Sequence, residues 1–200
     1  MKAKEYFTTK RIAFMALFTA LVAIATFIIQ VPSPAGQGYI SVGDTMIFVC
    51  AALFGPLFSF VAGGLGSAIA DMFVAPYYAP FTFIVKGLEG LVAAYIIKGL
   101  KKVRCPRPAA YVTAFVAGGL LMSAGYMLVE TVFIDWTLGV ANFVYNLVQA
   151  AVNIVLGFAL TMAFCKIRPI NRLLDLDGGN AAGVKEGEEK GPVLMATVEG

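Results

Sequence analysis

Histidine is absent from the chain, and charged residues are scarce at 14% of the sequence. Histidine is the commonest general base near neutral pH and the commonest metal ligand, so its absence removes the most frequent routes to acid–base catalysis and metal binding. The three cysteines, Cys50, Cys105 and Cys165, form no CxxC pair, which predicts neither a zinc site nor a disulfide framework. The net charge of +3 is too small to indicate nucleic-acid binding.

Catalytic and nucleotide-binding motifs are also missing. The sequence has no Gly-x-x-x-x-Gly-Lys-[Ser/Thr] phosphate loop, so it cannot hydrolyse ATP by that route. It has no Gly-x-Ser-x-Gly and no paired-aspartate metal motif either. We therefore expect no enzyme activity, no catalytic residue, no cofactor and no metal.

Apolar residues, by contrast, make up 60% of the chain, and the mean hydropathy is +0.83. A soluble domain has about 45–50% apolar and about 25% charged residues, so the excess here must face lipid. A spanning helix needs about 20 mostly apolar residues. Six apolar runs predict helices at 12–29, 44–54, 57–74, 81–100, 109–128 and 138–165.

We therefore predict an all-α integral membrane protein, a compact bundle of six transmembrane helices within residues 1–173. The first run is long for a signal peptide and no clear cleavage site follows it, so we expect a span there. Prolines and glycines predict an irregular loop over 30–43. The Gly-rich, charged segment 174–200 predicts a disordered cytoplasmic tail.

Basic residues are confined to the N-terminal segment, the loop between the fourth and fifth runs, and the end of the sixth run. They are Lys2, Lys4, Lys10 and Arg11, then Lys101, Lys102, Arg104 and Arg107, then Lys166, Arg168 and Arg172. With an even number of spans, all three groups lie on one side of the membrane. The positive-inside rule then predicts that both termini are cytoplasmic, in a multi-pass protein of the cell membrane.

Lys86 and Glu89 lie within the fourth run, where each charge costs about 2.5–3.5 kcal/mol at a helix centre. Such residues mark function by default. Their i, i+3 spacing puts them on one face within reach of each other. Two interpretations stay open: contact with a ligand, favoured because Gly87 and Gly90 leave room beside them, or a structural ion pair.

Amide side chains form a polar stripe on the sixth run. Asn142, Asn146, Gln149 and Asn153 fall within an arc of roughly 60° on a helix. Amides both donate and accept hydrogen bonds, which suits a neutral or zwitterionic heterocycle. We assign the outer pair, Asn142 and Asn146, to a site, and the deeper Asn153 to helix–helix hydrogen bonding.

Two aspartates lie at helix ends. Asp44 at the start of the second run is interpreted as a helix cap, and Asp71 near the outer end of the third run as either a site residue or an interfacial one. Glu130, Asp135 and Trp136 are expected in a wet turn. Most outer aromatic residues fit the interfacial belt; they include Tyr77, Tyr78, Phe81 and Tyr126. We place Tyr39 and Tyr145 in a pocket instead.

The first run carries Ala13, Ala16, Ala20 and Ala23 on one face, within roughly 80° of arc. Small residues four apart, as at Ala16-x-x-x-Ala20, allow another helix to approach closely.

These features together resemble the substrate-binding (S) component of energy-coupling-factor (ECF) vitamin transporters. The resemblance rests on six helices in a short chain, the long outer loop after the first, the alanine motif, and four stretches: YISVGD at 39–44, LFGP at 53–56, GGLGSAIAD at 63–71 and APFTFIVKGLEG at 79–90. They are similar to the branch that includes uncharacterised members and those assigned to hydroxymethylpyrimidine or pyridoxine.

The resemblance implies a vitamin pocket between helices four to six, open outward and capped by the loop after the first helix. It also implies that Ala16 and Ala20 dock on a membrane T subunit and that two ATPase subunits supply energy. The candidate substrate-binding residues are Tyr39, Asp71, Lys86, Glu89, Asn142, Tyr145, Asn146 and Gln149. A pyridine, a pyrimidine and a flavin all remain possible ligands.

Two alternatives from other classes stay open. One is a self-sufficient small channel or exporter, in which the alanine face forms homo-oligomers. The other is an intramembrane enzyme using Lys86, Glu89 and Asp71.

Overall fold

A computed structural model of the chain describes residues 9–33 and 39–166, so the tail expected at 174–200 lies outside the described residues. The described part contains six helices and two short strands. They are α1 (Thr9–Ile28), β1 (Gln30–Pro32), β2 (Tyr39–Ser41), α2 (Gly43–Leu53), α3 (Pro56–Val74), α4 (Ala79–Lys102), α5 (Arg107–Phe133) and α6 (Trp136–Lys166).

Five of these helices are long and apolar enough to cross a membrane, namely α1, α3, α4, α5 and α6. The protein is therefore a multi-pass helical membrane protein. The sixth, α2, has 11 residues and a length of about 16 Å at 1.5 Å per residue. The hydrocarbon core is about 30 Å thick, so α2 alone does not span it, and the count of six spans stays a prediction.

The segment between α1 and α2 departs from the irregular loop that the sequence predicted. Strands β1 and β2 pair antiparallel, with Val31 opposite Ile40 and Pro32 opposite Tyr39. Pro32 is tolerated because it is the last residue of its strand, where a missing N–H leaves few ladder bonds unmade. We call the described residues of this segment, 30–33 and 39–41, the hairpin.

Glycines on α3 allow two neighbouring helices to pack closely against it. A Cβ on Gly64 would lie 2.7 Å from the carbonyl oxygen of Phe83 on α4, and a Cβ on Gly66 would lie 2.6 Å from that of Thr19 on α1. Without a hydrophobic force between helices in lipid, such close backbone contact is a main source of association. Helix α3 is therefore fixed between α1 and α4.

Helix α2 is buried along almost its whole length, with ten of its residues shielded. At its far end, aromatic rings from α1, α2's C-cap and α3 pack together; the Phe54 and Phe58 ring centroids are 4.3 Å apart, and those of Phe18 and Phe54 are 4.8 Å apart. This end of the bundle is therefore filled by packed aromatic side chains. The polar side chains concentrate at the opposite end.

Candidate functional site

A cavity opens at the end of the bundle where α3 and α5 finish and α4 and α6 begin, next to the hairpin. The space between its walls is about 590 Å³ when the open solvent at its mouth is included. Its lining residues are Thr26, Ser33, Tyr39, Ile40, Ser41, Ser67, Asp71, Ala75, Tyr78, Thr82, Lys86, Tyr126, Glu130, Asn142, Tyr145, Asn146 and Gln149.

A buried charge network surrounds Lys86. Its ammonium donates to Asp44 Oδ1 and lies 3.3 Å from Glu89 Oε2. The other oxygen of Asp44 accepts a hydrogen bond from Gln149 Nε2 at 2.7 Å. Nζ also lies 5.6 Å from the centre of the Tyr126 ring, within the range of a cation–π contact.

The assignment of Asp44 as a helix cap is wrong. Helix α2 starts one residue earlier, Val42 is at the N-cap position, and no side chain caps this end. The Asp44 carboxylate is fully buried and turns across the bundle to α4 and α6 instead. An ammonium, because it is charged, is a stronger partner for a buried carboxylate than neutral backbone N–H groups are.

Asp71 is held by hydroxyl groups from two sides. Tyr39 of the hairpin donates to Asp71 Oδ1, and Thr82 of α4 donates to Oδ2. The Thr82 and Tyr126 hydroxyl oxygens are 2.9 Å apart, so Tyr126 must be the donor in that contact.

Glu130 forms a second polar cluster in the wall of the cavity. Its Oε1 accepts from Asn142 Nδ2 at 2.9 Å and from the Tyr78 hydroxyl at 3.3 Å. Ser33, beside β1, donates to Asn142 Oδ1 at 2.6 Å. Burial, and then Glu130, raises the pKa of Tyr78. The cluster therefore ties α4, α5, α6 and the hairpin together.

Backbone groups of the hairpin are held by amides of α6. Ser41 N–H donates to Gln149 Oε1 at 3.0 Å, and Asn153 Nδ2 donates to the Ser41 carbonyl at 2.8 Å. Asn153 Oδ1 also accepts from Thr45 N–H at 3.0 Å and from the Thr45 hydroxyl at 2.7 Å. Asn153 thus makes structural bonds, as the sequence predicted, and it joins the hairpin to α2.

Comparison with known proteins adds a family to this geometry. The family described as "ECF-type riboflavin transporter, S component" matches residues 6–166, most of the 200-residue chain. The chain belongs to this family. The resemblance drawn from the sequence is confirmed.

Three relatives of this S component differ in what is known of them. A Pyrococcus woesei protein named "Uncharacterized protein in gap 3'region" is 38% identical over 139 residues, covering 70% of this chain and 90% of that protein. The thiamine precursor transporter HmpT of Lactococcus lactis subsp. cremoris (strain MG1363) is 26% identical over 163 residues, covering 80% and 91%. The UPF0397 protein YdcD of Lactococcus lactis subsp. lactis (strain IL1403) is 34% identical over 83 residues, covering 42% and 44%. Family and relatives together make this chain a membrane component of vitamin uptake.

Seven of the eight predicted substrate-binding residues of this S component line one cavity. They are Tyr39, Asp71, Lys86, Asn142, Tyr145, Asn146 and Gln149. Glu89 is the exception: it is fully buried behind Lys86 and is not among the lining residues. Whether any of the eight contacts a ligand stays a prediction. Ala16 and Ala20 are exposed on the surface of α1 and lie away from the cavity.

Sequence reasoning missed several lining residues, above all Glu130 and Tyr126. Glu130 was expected in a wet turn, but α5 continues to Phe133 and Glu130 is 3% exposed in its last turn. Tyr126 and Tyr78 were assigned to the interfacial belt, yet both face the cavity. A carboxylate within three residues of a long apolar run was the available signal for Glu130. For the tyrosines, the sequence offered none.

Proposed function

We propose that this S component takes up a small vitamin or vitamin precursor from outside the cell, holds it in the cavity, and delivers it through a T subunit and two ATPases. The observation that carries the proposal is the convergence of polar side chains from α3, α4, α5, α6 and the hairpin on one cavity. Polar side chains are costly to bury inside a membrane protein, so their presence there marks a functional site by default. The family membership supports the same reading.

The charge distribution supports an outward-facing cavity. The described connecting segments at the cavity's end of the bundle, at 29–33, 39–42, 75–78 and 134–135, contain no Lys or Arg. Basic residues occupy the opposite end, with Lys101 and Lys102 in the last turn of α4 and Lys166 in that of α6. Under the positive-inside rule this distribution supports a cavity that opens to the outside and termini that lie in the cytoplasm.

The lining favours a small, polar heterocycle of the pyridoxine or hydroxymethylpyrimidine type over riboflavin. Only Ile40 and Ala75 of the lining residues have purely aliphatic side chains, whereas four tyrosines offer ring faces and hydroxyls. Aromatic faces stack on planar rings of many kinds. That HmpT is named as a thiamine precursor transporter agrees with the smaller ligand.

Equilibrium binding tests the proposal directly. Protein purified in detergent is titrated with pyridoxine, hydroxymethylpyrimidine and riboflavin by calorimetry, and native mass spectrometry identifies any molecule carried through purification. We expect saturable binding of a pyridine or pyrimidine and weaker binding of riboflavin. Folded protein that binds none of the three would contradict the proposal.

We also propose that α1 docks on the T subunit through Ala16 and Ala20. Both are exposed to the bundle's surroundings, so tryptophan at either position adds bulk outside the fold. Exposed substitutions usually change stability by no more than about 0.5 kcal/mol. Ala16→Trp and Ala20→Trp should therefore keep ligand binding and abolish uptake and copurification with the ATPases. Val155→Trp, at an exposed position on α6, is the control and should change neither. Joint loss of binding and thermal stability would contradict docking.

A further inference from the structure

Carboxylates outnumber cations among the buried side chains. Asp44, Asp71, Glu89 and Glu130 are all buried, against Lys86. From residue 12 to 97 and from 108 to 165, Lys86 is the only Lys or Arg in the sequence. It is already engaged by Asp44 and Glu89. The chain therefore offers no second cation within these stretches for the remaining two carboxylates.

Asp71 and Glu130 differ in how their oxygens are satisfied. Each oxygen of Asp71 accepts a hydroxyl hydrogen bond, from Tyr39 or from Thr82. Glu130 Oε1 accepts two bonds, whereas Glu130 Oε2 is buried and has no hydrogen-bond partner among the residues that the structure describes. Glu89 also makes no hydrogen bond there, but it faces Lys86 and lies off the cavity.

Glu130 is thus a cavity-lining carboxylate, 3% exposed, with one oxygen left for something that enters. A buried charge without a partner is costly, and a charged donor offsets that cost better than a neutral one. The hydroxyls of Thr26 and Ser67 are also buried, unpartnered within the described residues, and part of the lining. These two hydroxyls could form hydrogen bonds with uncharged polar atoms of a heterocyclic ligand.

We propose that the ligand carries a protonated nitrogen and that Glu130 receives it, which makes Glu130 the specificity-determining residue of the cavity. The ligand class is a small heterocycle whose protonated nitrogen depends on an amino substituent, being either that amine itself or the ring nitrogen that a 4-amino group makes basic. This inference rests on the proposed function, because it takes the cavity to be the vitamin site.

Matched ligand pairs test the inference on the wild-type protein first. Pyridoxamine and pyridoxine differ only in an amine against a hydroxyl, and the 4-amino and 4-oxo forms of hydroxymethylpyrimidine differ at one ring position. We expect the amino member of the pair that binds to bind about tenfold tighter or more, as a charge-assisted hydrogen bond allows. Equal or weaker binding of the amino member overturns the inference without any variant being needed.

Glu130→Gln then separates a specificity role from a structural one. Glutamine keeps an oxygen for Asn142 and Tyr78, but it places an NH₂ group where the free carboxylate oxygen was. We expect the preference for the amino member to disappear while the other member binds within about threefold of wild type. An equal loss for both members would mark Glu130 as structural and overturn the inference.

Asp135→Asn is the matched control. Asp135 is exposed, five residues further along, and accepts backbone N–H bonds from Thr137 and Leu138, which lower its pKa and keep it ionised. Removing its charge should leave the amino preference unchanged; a loss equal to that of Glu130→Gln would show a diffuse charge effect and overturn the assignment. Wild-type protein that binds only riboflavin also overturns the inference and leaves the transport role, whereas binding of no vitamin at all overturns both.

Discussion

Replacing Lys86 by methionine should destabilise the protein more than any other single change in the charge network. The ammonium lies between Asp44 and Glu89, and the side chains of all three are at most 5% exposed. Methionine keeps much of the length and volume of lysine but leaves two facing carboxylates without a cation. Removing one partner of a buried pair costs about 3–5 kcal/mol. At about 2–4 °C per kcal/mol for a chain of this size, the melting temperature should fall by about 6–20 °C.

The two carboxylates should not contribute equally. Asp44 accepts a direct hydrogen bond from Lys86 and a second bond from Gln149. Glu89 lies 3.3 Å from Nζ in an ion pair and makes no hydrogen bond among the described residues. Glu89→Gln leaves one lysine facing one carboxylate, so we expect a change below about 1 kcal/mol. Double-mutant cycles should give a larger coupling energy for Lys86 with Asp44 than with Glu89.

The assay combines thermal unfolding in detergent with equilibrium ligand binding for each variant. The fully neutral triple variant Lys86→Met, Asp44→Asn, Glu89→Gln should regain most of the stability, because neutral replacement of a buried ionic group is often tolerated. It should still bind ligand poorly, since Lys86 lines the cavity. Normal affinity in the triple variant would refute the site role of Lys86. A coupling energy with Glu89 equal to that with Asp44 would refute the partner assignment.

The remaining predictions concern packing, amides and orientation. Gly66→Ala should destabilise by about 1–3 kcal/mol because its Cβ would meet the α1 backbone, whereas Gly99→Ala, with open space around it, should be neutral or stabilising by up to about 1 kcal/mol in thermal unfolding. Asn153→Ala should lower the melting temperature, as its bonds to the hairpin and α2 are lost. Asn146→Ala should instead weaken ligand binding at unchanged stability; a fall in both would contradict a site role. Gln37→Cys in a cysteine-free background should react with an impermeant maleimide on intact cells, and reaction only after permeabilisation would contradict the orientation.

The helices could be predicted from the sequence because a membrane requires long apolar runs, and each predicted run corresponds to a helix. Helix ends were harder to predict. Helix α5 was expected to end near Leu128 but continues to Phe133, because Glu130 finds partners in Tyr78 and Asn142. Such partners come from other helices, so no local pattern could reveal that a carboxylate stays helical and buried.

Most of the residues that line the candidate site could be predicted from the sequence, but the contacts between them could not. Charged and amide residues inside apolar runs must avoid lipid, which is why Lys86 and the amide stripe were found. The sequence offered Glu89, three residues away, as a side chain within reach of Lys86, whereas the closest partner is Asp44, 42 residues earlier. Local spacing favours the neighbour on the same helix, and only the packing of α2 against α4 brings Asp44 there.

The shortness of α2 has a physical reason that links fold to function. A continuous spanning helix would bond its own backbone groups internally and leave none for side chains of other helices. Here the chain stays non-helical until Gly43, so that Ser41 offers its N–H to Gln149 and its carbonyl to Asn153 in the middle of α6. Non-helical backbone at membrane depth is tolerated where it borders a polar cavity. We therefore expect the hairpin and α2 to complete a sixth crossing together, and the cavity to exist because that crossing is only half helix.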